Sequence, residues 1–122
     1  MLTPEDLDLL EASLLPAMER HYLRLLAHGL RTLQTIAAST ADPQRAPDRA
    51  QMVAWAASQA PMADDPHFRD AFLDQLERLM GPLEEMASRG QQPLLTLQMS
   101  QLLAWVKEQA DARLSSPSQP PG

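Results

Sequence analysis

Eleven prolines punctuate this chain of 122 residues, and between them apolar side chains recur at three- and four-residue steps. Such steps follow the period of an α-helix. Proline starts helices well but continues them badly, because it lacks an N–H and its ring crowds the preceding turn. The two patterns together predict several amphipathic helices with boundaries near prolines. Composition agrees. Two Trp, one Tyr, two Phe and four Gly are too few for a β-sandwich or barrel. The dominant Leu, Ala, Gln, Met, Glu and Arg lose little on entering a helix.

The first helix is expected to open at Thr3-Pro4, a good N-cap followed by the residue best suited to the first helical position. Leu7, Leu10, Leu14, Met18, Tyr22, Leu25, Gly29, Leu33 and Ile36 then form one stripe. The stripe keeps its phase across Pro16, which predicts a single helix over residues 4–38, kinked there and about 50 Å long. A second, short helix spans 48–59. A third opens at Asp65-Pro66 and carries Phe68, Phe72, Leu76, Leu79, Leu83 and Met86, with a kink expected at Pro82 and a left-handed cap at Gly90. A fourth runs from Pro93 to Leu114. The expected architecture is an all-α four-helix bundle of two helical hairpins over residues 1–114, with a disordered tail over 115–122.

An internal echo supports two hairpins. The decapeptide from Gln51 to Ala60 matches that from Gln101 to Ala110 at five of ten positions, with Trp55 and Trp105 aligned at an offset of 50. Duplication of a helical hairpin would produce this, and so would chance in a chain rich in Ala, Leu and Gln.

Composition also excludes functions. Zero Cys removes disulfide scaffolds, thiolate nucleophiles and Cys-ligated metals. No apolar run approaches the ~20 residues of a membrane span, and the acidic start Met1-Leu2-Thr3-Pro4-Glu5-Asp6 is unlike a signal peptide, so a cytoplasmic location is expected. A net charge of −6 makes nucleic acid an improbable partner. Nine of the ten cations are Arg, which suggests a GC-rich, bacterial source. No Gly-rich phosphate loop, nucleophile elbow or zinc-protease motif is present, and no cofactor or metal is expected.

Local features offer candidate sites. Arg20, Arg24 and Arg31 share one edge of the first helix and form a basic strip, flanked by His21 and His28. Asp70, Asp74 and Glu77 form an acidic strip on the third, and the offset of 50 would pair Arg20 with Asp70 and Arg24 with Asp74. The strip could steer a partner, seat an anionic ligand or RNA, or simply be a solvated face. On the fourth helix Leu94, Leu97 and Trp105 lie off the apolar stripe, and Trp55 lies at the edge of the second. A small bundle has few ways to bury a helix all round, so these four are expected to anchor a protein partner or a homodimer.

The stretch Ala27-His28-Gly29-Leu30-Arg31-Thr32 resembles the phosphoacceptor box of sensor histidine kinases and the core of histidine phosphotransfer domains. That resemblance implies a phosphorylatable His28 on an exposed helix. The kinase box has an acidic residue after the His and a proline after the Thr, where this chain has Gly29 and Leu33. The reading preferred on all features is a small helical interaction protein, an adaptor, assembly factor or regulator. The alternatives are a phosphorelay intermediate using His28 and an anion or RNA binder on the arginine strip.

Overall fold

A computed structural model describes residues 2–12, 15–60 and 62–115. Among them are five α-helices and two single-turn 3-10 segments, with no strand: α1 (Pro4–Ala12), α2 (Ala17–Ala38), α3 (Arg49–Ala57), α4 (Pro66–Arg89) and α5 (Met99–Ser115). The chain is all-α as expected, but the count of four helices is corrected. Ser115 belongs to α5, and the tail expected beyond it lies outside the described residues.

The additional helix comes from Pro16. Leu15 and Pro16 are not helical, with Pro16 at ψ 159°, so the first stripe is broken rather than kinked. Phase continuity concealed the break because both pieces bury leucines on one core. The gain from breaking is specific. In one unbroken helix Asp6 and Arg31 would stand about 37 Å apart. With α1 turned back, Arg31 Nε and Nη2 donate to Asp6 Oδ2 and Oδ1 at 2.8 and 2.7 Å. Asp6 is fully buried, and the Arg31 guanidinium holds its carboxyl down at about 2, against the penalty of burial. Thr3 caps the same helix: the Asp6 N–H donates to Thr3 Oγ1, and the Thr3 N–H donates back to Asp6 Oδ2, each at 3.0 Å.

Pro82 has the opposite outcome, since α4 runs unbroken through it. α4 begins as expected, with Asp65 accepting from the Phe68 N–H and Pro66 in the first turn. It ends differently: Gly90 is right-handed, and the positive φ of 51° falls on Gln91. What Gly90 supplies is space, since a Cβ there would lie 2.7 Å from Gln92 Oε1.

The fourth predicted helix also starts late. Leu94–Thr96 forms a 3-10 turn, Leu97 is extended, and α5 opens at Met99. The changed register swings Leu94 and Leu97 into the core, so their expected exposure is corrected.

α2 is the central element. Leu23, Leu26, Leu30, Leu33 and Ile36 on one side of it are fully buried, and it packs most extensively on α5 and α4. Burying five such side chains contributes on the order of 10 kcal/mol to the core. The hairpin echo has a structural counterpart: shifting α2 by 50 residues places it at 67–88, within α4.

Candidate functional site

The side of α2 that faces α4 is incompletely covered. Leu25, His28, Gly29 and Thr32 of α2 and Phe72, Gln75, Leu76 and Leu79 of α4 line an open cleft of about 190 Å³ there. On α2 these residues follow helical steps along one edge. Gly29 lies close against α4: a Cβ at this position would stand 3.0 Å from Leu79 Cδ1. The floor is apolar, formed by half-buried Leu25, Phe72 and Leu79 over buried Leu76. Phe68, one turn before Phe72 on the same stripe, leaves 46% of its surface exposed. Phe72 also stacks on Trp55 of α3, with ring centroids 6.1 Å apart, so the cleft continues into a half-buried indole.

His28 stands exposed at the edge of the cleft. Its carbonyl accepts from Thr32 Oγ1 at 2.8 Å, and that hydroxyl lies 3.5 Å from its Nδ1. The arginine that follows it by one turn, Arg31, is committed to Asp6 and to Gln34, whose Oε1 accepts at 3.0 Å.

The expected basic strip is therefore divided. Arg31 holds α1, and Arg20 is half-buried and donates from Nη2 to the Leu15 carbonyl at 2.9 Å. Arg24 remains exposed, with no hydrogen bond or ion pair among the described residues. Within the chain, the pairs Arg20–Asp70 and Arg24–Asp74 do not form. Arg49 of α3 takes the acidic strip instead, 2.7 Å from Glu77 and 3.5 Å from Asp74. A cation from the neighbouring short helix reaches those carboxylates across the surface, whereas α2 turns its strip elsewhere.

The four expected anchors have different environments. Leu94 and Leu97 are core residues, packed in the same cluster as α2's leucines. Trp105 is only 8% exposed, beneath the Arg89 guanidinium, which lies 5.0 Å from its ring centroid. Its Nε1 is buried without a hydrogen-bond partner. Clefts open on both sides of that ring, one lined by Met18, Tyr22 and Gln109, the other by Met86, Gln101 and Glu108. Only Trp55 keeps a substantial surface. Sequence reasoning assigned Phe68, Phe72, Leu25 and Leu79 to the core stripe and missed that they edge an opening. The available signal was Gly29, the one position in the α2 stripe with no side chain to fill the gap.

Among the described residues no helix is long and apolar enough to cross a membrane, and no three His, Cys, Asp or Glu stand together as a metal set.

The comparison that decides the family covers nearly all of these elements. The family model described as NDH complex assembly factor CRR9 matches residues 2–113. The chain belongs to this family. No curated protein and no solved structure matches it. The family description supports a protein partner but neither the expected bacterial source nor the expected homodimer, and these two expectations are withdrawn. It gives the family's role as assembly of an NDH complex. The arginine bias is left with no ground for assigning a bacterial source.

Proposed function

We propose that this chain serves the assembly of an NDH complex by holding one of its protein components at the cleft between α2 and α4. The observation that carries the reading is an apolar floor left open on the side of the central helix. Leu25, Phe72 and Leu79 are each incompletely covered, and exposed Phe68 continues their line. A partner side chain entering there would complete burial that the chain leaves unfinished, and aromatic groups in such a depression are effective anchors. Family membership supplies the kind of partner. In this reading Trp55 extends the docking surface through Phe72, and Leu94, Leu97 and Trp105 support the helices from behind. Chemistry on bound substrate is not required, since association alone protects or positions an incomplete subunit.

The test is affinity capture from the native host, followed by identification of NDH subunits. Wild-type protein should retain at least one of them. Leu25→Gln and Phe68→Ser should reduce that capture about tenfold, a loss on the order of 1.4 kcal/mol, while helicity by circular dichroism stays unchanged. Undiminished capture by both variants would place docking elsewhere.

A further inference from the structure

We infer that the cleft between α2 and α4 receives an amphipathic helix whose flanks carry carboxylates; this rests on the docking reading above and adds the chemistry of the partner. The inference follows from how charge is divided around the opening. The whole chain carries a net charge of −6, yet none of the residues lining the cleft is a carboxylate. Beyond Glu19 in its first turn, α2 contains three arginines, two histidines and no acidic residue. Of these, His21, Arg24 and His28 are exposed on the edge toward the cleft or next to it. On α4 the outer edge, followed at helical steps from Phe68, reads Ala71, Gln75, Arg78 and Pro82. Arg78 is exposed, with no ion pair among the described residues. Of the five carboxylates of α4, Asp74 and Glu77 are already engaged by Arg49, and Glu85 by Arg89.

The opening thus presents an apolar floor flanked by the exposed cations Arg24 and Arg78, in a chain of net negative charge. Charge complementarity favours an anionic partner segment and opposes a basic one. The shape favours a helix. From Phe68 to Leu79 the apolar line covers three turns of α4, about 17 Å, which suits apolar residues at i, i+3, i+7 and i+10 of an incoming helix.

The test uses the full chain and two labelled 16-residue synthetic helical peptides. Both carry Leu at those four positions. One has Glu at the flanking positions and the other Lys. At low salt, fluorescence anisotropy should show the Glu peptide binding at least tenfold more tightly. The preference should fall toward parity in 0.5 M NaCl. Arg24→Glu combined with Arg78→Glu should invert it, and both substitutions are on exposed side chains. Equal affinity for the two peptides, or no binding of the Glu peptide, overturns the charge assignment. Tighter binding of a single-stranded 12-nucleotide RNA than of the Glu peptide also overturns it. In each of these cases host NDH subunits captured by wild type and lost in Leu25→Gln would still uphold the docking reading. Loss of that capture result would instead remove the docking reading itself.

Discussion

α3 and α5 carry the same motif and use its tryptophan differently. In each helix a glutamine in the first turn closes the start: Gln51 Oε1 accepts from the Asp48 N–H at 3.0 Å, and Gln101 Oε1 accepts from the Gln98 N–H at 2.8 Å. The next residue is buried in both, Met52 and Leu102, as is the one after each tryptophan, Ala56 and Val106. Yet Trp55 remains half-exposed while Trp105 is covered. The difference arises outside the motif. α3 stops at Ala57, and Trp55 finds only Phe72 to stack on. α5 continues to Ser115 and lies along α2, and Arg89 from the end of α4 closes over its indole. A local sequence therefore fixes which edge of a helix is apolar, and the length of the helix and its neighbours determine how much of that edge is sealed.

The strongest way to break this comparison is to truncate each indole. Trp105→Ala should cost about 3–5 kcal/mol in urea unfolding, as for a large core side chain. Trp55→Ala should cost less, about 1–2 kcal/mol, because part of its surface is already in water. Equal losses would mean that the two rings are equally structural.

A second variant removes what only the first half of the chain possesses. Arg31→Leu leaves the buried Asp6 carboxylate without its cation and should destabilise by about 3 kcal/mol. The same pair has a pH signature. The Asp6 carboxyl is lowered from 3.8 to about 2 in the folded state. Its contribution, about 2 kcal/mol, is complete above the unfolded value and is lost as pH falls through the folded one. Denaturation curves of wild type and Arg31→Leu should thus converge between pH 4 and 2. A constant difference across that range would show that the ion pair does not carry the effect.

Helix starts sharpen the comparison further. Asp48→Ala removes an N-cap acceptor for the Gln51 N–H, 2.8 Å away, and should cost about 1 kcal/mol. Gln98→Ala should change stability by less than about 0.5 kcal/mol, because the bond at that start uses the Gln98 backbone and survives the substitution. A small effect also belongs to the cation over the indole: Arg89→Ala should lose about 0.5–1 kcal/mol and shift the Trp105 fluorescence.

These helices also show what could be read in advance. Thr3-Pro4 and Asp65-Pro66 announced two helix starts because caps and prolines act locally, and both hold. The paired prolines could not be separated the same way. Pro16 and Pro82 interrupt equally regular stripes, but only the first break brings a buried carboxylate to an arginine 25 residues along the chain. Residue spacing carries no sign of that contact. Leu94 and Leu97 were misplaced for a related reason, since a 3-10 turn re-phases them and periodicity assumed an α-helix from Pro93. The cleft was legible only as an absence, the hydrogen at Gly29.

That hydrogen has a consequence for how the family could diversify. The gap between the two longest helices is gauged by a single missing methyl, held against the end of one leucine. Adding the methyl would wedge the mouth apart by tenths of an ångström, leaving the aromatic and charged groups around it unaltered. Selectivity for a thicker or thinner guest could be adjusted at one backbone position while every recognising side chain is kept.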